Sequence, residues 1–377
     1  MRQRMRTHLN YELFLLAIFG GAAVSAAFVF DVASQERSLS GRELFEMNCA
    51  SCHGMDGAGR SQQEVGFDIP LPDFRDCVFA SREPNGDWAS IIHEGGPRRA
   101  FNRMMPAFGD ALSEEEIDQI LVHVRTFCTD QRWPRGELNF PKALFTEKAF
   151  PEDELIWQTF VNAEGPTGIT SRFVYEKRFG PRGQLEVSLP FQLADQGSST
   201  EVGIGDIAVG WKQNLYANFD SGFIFSAGSE VVLPTGSEAK GFGKGTAIIE
   251  PFLLFGQMFP GDSFIQGHVF AEFPTGKGLD DELGWRAVVG KTWASDNGFG
   301  RAWTPMIEFL GAKELVGGAK TQWDIVPQFQ VSLSQRQHVL ANFGARIPLT
   351  DSGPRETQFV FYILWDWFDG PFAEGWR

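Results

Sequence analysis

The sequence predicts a multidomain chain: a small all-α domain followed by an antiparallel transmembrane β-barrel of about 12 strands. Three observations predict it. Apolar residues recur at helical spacing up to Cys128, then at a spacing of two from about residue 153. Between the two patterns lies a stretch with Pro134, Pro141 and Pro151, mixed charges and no sustained period. The alternating segments number about twelve, many run about ten residues, and one face of each is rich in aromatics.

The N-terminal segment reads as an export signal over residues 1–34. Arg2, Arg4 and Arg6 form a positive region, an apolar run extends from Leu13 to Phe30, and small residues near Ala33 and Ser34 offer a processing site. An uncleaved anchor is the competing reading, since the run sits at the lower edge of a spanning helix. Export to an oxidising compartment makes Cys77 and Cys128 a possible disulfide; two buried thiols are the alternative.

Residues 35–130 read as the helical domain. Gly41 to His53 carries Leu44, Phe45 and Met47 and suits a helix, and Asp87 to Glu94 suits a second. The clearest helix starts at Ser113, an N-cap with Glu116 in capping-box position, and places Ile117, Ile120, Leu121, Val124 and Phe127 on one face up to Cys128. Residues 131–152 read as a linker.

From residue 153 to 377 the strands alternate. Gln322, Asp324, Gln328 and Gln330 oppose Trp323, Ile325, Phe329 and Val331; Gln266, His268 and Glu272 oppose Ile265, Val269 and Phe273. Phe359, Phe361, Ile363, Trp365 and Trp367 share another face. Turn signals separate the runs at Pro181-Arg182-Gly183, Pro260-Gly261-Asp262 and Asp296-Asn297-Gly298. A soluble sandwich also alternates, but its strands are less uniformly aromatic. Aromatics toward strand ends are the girdle of an outer-membrane barrel. Glu186, Glu230, Glu272, Asp324 and Arg346 fall on the interior face, either pairing with one another as a plug or lining a cation-selective pore.

The chemistry is carried by Cys49-Ala50-Ser51-Cys52-His53, the attachment pattern of one covalent haem c. Two thiols two residues apart reach two vinyl groups on one porphyrin edge, and the adjacent imidazole meets the iron. A zinc site would want further Cys or His at short spacing, and a redox dithiol a βαβ context; neither is present in the sequence. The sixth iron ligand is expected at Met105, since Pro106 stiffens its loop, with Met104 as the alternative; His93 and His123 are weaker candidates.

Residues 41–128 resemble a class I cytochrome c through Gly41, Leu44, Phe45, Asn48, the Cys49–His53 motif, Gly54, Asp56, Gly57, Gly59 and Met105-Pro106-Ala107-Phe108. The resemblance implies His53 and Met105 as axial ligands and a one-electron carrier. The later part resembles MetA-like outer-membrane barrels at Gly203-Ile204-Gly205-Asp206 and Val232-Leu233-Pro234-Thr235-Gly236. The architecture is similar to cytochrome–porin fusions that take electrons from extracellular iron.

A filled His/Met coordination sphere points to electron transfer and away from enzymatic bond chemistry. The expected place is the outer membrane, with the cytochrome in the periplasm or the barrel lumen. Expected partners are membrane lipid and a periplasmic redox carrier or an external electron donor or acceptor. A net charge of −15 argues against nucleic acid and suits a cationic partner. Two other functions fit the same residues: a solute channel whose cytochrome is a periplasmic carrier or sensor, and a structural tether for a cytochrome.

Overall fold

The computed structural model describes residues 39–163, 168–195, 200–351 and 355–366. The expected export signal and Trp367 lie outside the described residues.

The helical region begins with α1 (Gly41–Asn48), capped by Ser40, whose backbone N–H donates to Glu43 while its hydroxyl accepts from the Glu43 amide. After a break at Cys49 come α2 (Ala50–His53), α3 (Gln62–Val65), α4 (Cys77–Ala80) and α5 (Asn85–Glu94), then a 3₁₀ turn at Gly96–Arg99. The last helix, α6 (Glu114–Val124), carries the same capping box at Ser113 and Glu116 and three glutamates on the positive end of its dipole. It stops four residues short of Cys128, where the Phe127 amide bonds the Val124 carbonyl and tightens the chain.

The core of this region is apolar. Ile117, Ile120, Leu121 and Val124 bury the expected face of α6 against Leu44 and Phe45 of α1. The two helices cross closely because position 41 has no side chain: a Cβ there would lie 1.9 Å from the Gln119 carbonyl oxygen. Cys77 and Cys128 form a disulfide that ties α4 to the chain after α6. One cation is built into this core. Arg125 donates to Asn85 and to the Glu83 and Ala80 carbonyls and stacks 4.2 Å over Trp88.

From residue 154 the chain forms a closed antiparallel barrel of 12 staves. They are β1 (Glu154–Asn162), β2 (Gly168–Phe179), β3 (Gly183–Asp195), then β4 (Thr200–Ile204) continued by β5 (Ile207–Asn218), which both pair with β3. Next come β6 (Phe223–Leu233), β7 (Ile248–Phe259), β8 (Ser263–Pro274) and β9 (Glu282–Lys291), which β10 (Trp293–Ala294) continues along β11 (Ala302–Glu314). The series ends with β12 (Gln322–Ser332), β13 (Val339–Pro348) and β14 (Gln358–Asp366). Closure is made by β14 on β1, from Glu154 opposite Asp366 to Asn162 opposite Gln358.

The alternation read from sequence is the alternation of the wall. Gln266, His268, Asp324, Gln328, Gln330 and Asn342 face inward, and Val269, Phe273, Trp323, Phe343 and Phe359 face outward. Near the short turns the outer surface carries Phe179, Trp211, Phe259, Trp293 and Trp303; near the other end it carries Phe273, Trp323 and Phe359. The three expected turns lie at strand junctions, where Asp262, Asp296 and Asn297 take positive φ beside Gly261 and Gly298. All of these turns, and the start of β1, lie at one mouth; longer connections such as 234–247 lie at the other.

The segment expected to be a linker runs inside the barrel. Leu138, Phe140, Ala143, Ala149 and Phe150 pack with Ile224, Leu254, Phe264, Val288 and Met306 of the wall. Leu144 packs with Ile156, Val174, Val326 and Tyr362. The segment has no regular period because its polar groups are met by the wall rather than by a neighbouring turn or strand.

Candidate functional site

The motif of two cysteines and a histidine occupies the turn from α1 into α2. The Cys49 amide still bonds the Phe45 carbonyl, and the Cys52 and His53 amides bond the Cys49 carbonyl, so one short coil presents all three side chains. Cys49 is buried and Cys52 half-buried, and neither takes part in the Cys77–Cys128 disulfide. Burial, with Cys52 next to it, pushes the Cys49 thiol up to about 11. The His53 ring stacks on Phe74 at 4.9 Å, its Nδ1 is buried with no hydrogen-bond partner among the described residues, and burial pulls it down to about 4. A neutral imidazole at physiological pH keeps the lone pair that a metal requires.

Met105 is partly buried and packs against the helical core that contains Cys49, whereas Met104 is 47% exposed. The loop before it folds back tightly: the Gly96 amide bonds the Met105 carbonyl at 3.0 Å, and a Cβ at Gly96 would lie 2.2 Å from the Asn102 carbonyl oxygen. The weaker candidates are engaged elsewhere. His123 packs between Phe45 and Phe127, and His93 lies against Phe299, a barrel residue, at 5.0 Å. Two cysteines outside the disulfide, a neutral histidine with an orphaned buried nitrogen, and a methionine on the same core are a donor set that fits a c-type haem.

The helical region is fastened to the short-turn mouth. Arg98 and Arg99 both donate to the Phe299 carbonyl, and Arg98 pairs with Asp296. Glu83 meets His338 at 3.0 Å, Arg82 meets Asp153 at 2.9 Å, and Arg336 lies over Phe101. The cytochrome-like domain therefore sits at the mouth, and the residues inside the lumen belong to the connecting segment.

That segment is held largely by its backbone. Lys142 offers its carbonyl to Tyr362, Gln330 and Asn342. The Phe145 carbonyl accepts from Arg286, the Lys148 carbonyl from Lys212, and the Ala149 carbonyl from Ser226. Buried Glu308 accepts from the Thr146 amide and hydroxyl and from Gln328. Of the five interior charges expected from sequence, Asp324 and Arg346 pair with each other, with Arg355 also on Asp324. Glu186, Glu230 and Glu272 make no ion pair or hydrogen bond among the described residues. Sequence reading missed the plug, although Phe140, Leu144, Phe145 and Phe150 within a dozen residues were its signal.

The fold and motif define a class: a barrel protein carrying a cytochrome-c-type domain at one mouth. The comparisons divide the chain at the same place. Residues 36–124 match the family model of cytochrome c oxidase, cbb3-type, subunit III. Residues 156–273 match that of the putative MetA-pathway of phenol degradation. A cbb3-type cytochrome c oxidase subunit, FixP of Azorhizobium caulinodans, is 33% identical over 118 residues, covering 28% of this chain and 36% of that protein. The chain thus spans about a third of the length of the curated relative it matches. Among solved structures, the KdgM porin in complex with disordered oligogalacturonate is similar over 56% of this chain and 98% of its own, with 13% identity and a TM-score of 0.40. An outer-membrane channel from Pseudomonas putida F1 is similar over 56% and 93%, with 13% identity and a TM-score of 0.41. The chain joins a segment similar to cbb3-type cytochrome c subunits to one similar to MetA-pathway barrel proteins.

Proposed function

We propose that this protein is an outer-membrane electron-transfer protein: a class I, monohaem cytochrome fastened to the periplasmic mouth of a plugged barrel. The three working parts are residues 35–130, 131–152 and 153–377. Cys49 and Cys52 would hold one covalent haem c, and His53 and Met105 would ligate its iron. Bound there, the group would supply one-electron redox chemistry.

The chain's own residues locate that chemistry. His53, kept neutral by burial, and Met105, whose carbonyl the Gly96 amide holds, would supply the two iron ligands. Arg98, Arg99 and Glu83 bind the domain to the turns. The outward aromatic rows and the apolar staves between them suit lipid, and short turns at one mouth with longer loops at the other match the periplasmic and external ends of such barrels. The acidic chain suits a cationic redox carrier in the periplasm or a cationic external donor or acceptor.

The observation that carries this reading is the docking of the cytochrome-like domain on one mouth while its own connection fills the lumen. Leu138, Phe140, Leu144 and Phe150 pack on the inner wall, where a solute channel would keep its wet path clear. The test uses haem-loaded full-length protein in liposomes containing a redox dye, challenged from outside with an impermeant reductant. Dye reduction that is lost in His53→Ala and in Met105→Ala supports exchange across the membrane. A reducible haem with no dye reduction confines electron exchange to the periplasmic side.

A further inference from the structure

The loop that carries Met105, the proposed sixth iron ligand, has little of its own to order it. Residues 96–105 close through backbone bonds: the Gly96 amide donates to the Met105 carbonyl at 3.0 Å, the Phe101 amide to the Gly96 carbonyl at 2.9 Å, and the Met105 amide to the Asn102 carbonyl at 3.3 Å. Between these bonds the side chains of Phe101, Asn102, Arg103 and Met104 are exposed, and Met105 packs on the helical core. A segment with few buried apolar contacts opens easily, so its order has to come from what it leans on.

Two supports flank it. One is the helical domain, where Arg99 donates from Nη2 to Asp87 of α5 at 2.7 Å. The other is the barrel. The opposite arm of the same guanidinium, Nη1, donates to the Phe299 carbonyl at 2.8 Å, and Arg98 pairs with Asp296 at 3.1 Å. The Arg99 side chain is 5% exposed, so its charge-assisted bonds are little weakened by water. From the β12–β13 turn, Arg336 donates to the Ala100 carbonyl at 3.3 Å and lies over the Phe101 ring at 4.4 Å. These two rim turns are tied to each other, because the Gln337 side chain donates to the Gly300 carbonyl at 2.8 Å. One joined surface of the rim therefore grips residues 98–101. Two further contacts across the mouth, Arg82 with Asp153 and Glu83 with His338, hold the link before α5 instead.

We infer that the barrel rim, through the turns that carry Phe299 and Arg336, positions Met105 as an iron ligand by holding residues 98–101 of its loop. The rim residues are positioning residues: they act on the ligand through the loop. Groups that hold a ligand's carrier set how firmly the ligand stays on the metal, and with it the potential of the iron. The barrel is then a part of the haem site as well as its anchor. The inference rests on the reading of Met105 as a ligand and is independent of whether electrons cross the membrane.

The test is an imidazole titration of the oxidised, full-length, haem-loaded protein in detergent, followed by the sulfur-to-iron charge-transfer absorption. Imidazole takes the iron only when Met105 has left it, so its apparent affinity scales with the released fraction. Arg98→Ala combined with Arg336→Ala leaves the Arg99 bonds in place. In that variant imidazole is expected to displace the methionine at about tenfold lower concentration. Asp296→Ala with Phe299→Ala, confined to the barrel turn, shifts the titration the same way and serves if the first variant loses its helical circular dichroism. Glu83→Gln, which loosens the same docking without touching the loop, leaves the titration unchanged. A natural protein without the absorption, spectrally identical to Met105→Ala, overturns the ligand reading and this inference with it. A natural absorption with equal titrations in the folded rim variants, or a Glu83→Gln shift as large as theirs, overturns this inference alone.

Discussion

The helical domain and the barrel are built inside out with respect to each other. The first buries Leu44, Phe45, Ile117, Ile120 and Leu121 and turns most of its charges to water. The second buries Glu154, Glu308 and Lys148 and turns Phe173, Trp211 and Phe343 outward. One rule, that apolar surface seeks an apolar neighbour, gives both results when the neighbour is the protein's own core in one case and, in the proposed setting, lipid in the other. The difference teaches where each part keeps its order. The helices are ordered by side-chain packing, whereas the lumen adds to such packing many hydrogen bonds to the backbone of a single inserted segment.

The sharpest way to break this comparison is to take the segment away. Replacing residues 141–150 with a Gly/Ser stretch of equal length is expected to give ion conductance in planar bilayers where the natural protein gives little, with haem absorption unchanged. Equal conductance in both would show that the plug does not seal the lumen. The next largest effect belongs to the helical domain. Cys77→Ser with Cys128→Ser opens a loop of 51 residues and should cost about 4 kcal/mol in guanidinium unfolding followed by haem absorbance. The barrel's resistance to denaturation should not change.

A smaller effect is tied to pH. Burial, then the Glu83 carboxylate, pushes Asp87 up to about 6 against the pull of Arg99 and His338. A carboxyl raised in the folded state favours folding most below its unfolded value, near 4, and that contribution is lost as pH rises through 6. Thermal midpoints of the helical domain at pH 5 and pH 7 should therefore differ less in Asp87→Asn than in the natural chain. An unchanged gap would place the pH dependence elsewhere. The smallest expected change is Ser113→Ala, which removes the α6 cap and should lower helical-domain stability by about 1 kcal/mol in the same denaturant titration.

These contrasts also mark what the sequence makes legible. A cap such as Ser113 with Glu116 is a local pattern, and so is a period of two, so α6 and the facing of Gln328 or Phe329 follow from neighbours in the chain. The haem motif is local for the same reason. The Gly41 contact with α6 and the choice between Met104 and Met105 depend on residues far apart, and only the fold shows that Met105 turns to the core. The plug was missed because Lys142 and Lys148 look like solvent residues until Glu147, Glu152 and Glu154 are placed beside them. Alternation places Glu186, Glu230 and Glu272 in the interior, but which residues they face across the sheet depends on register, which alternation alone does not fix.

The plug precedes β1 in the chain and lies within the ring that β14 closes. The helical domain is fastened at the short-turn mouth, and β1 starts at that mouth. The inserted segment therefore enters and leaves by the same opening, as a looped stopper whose two ends are both anchored at the rim, and releasing it needs no passage of a folded domain through the ring.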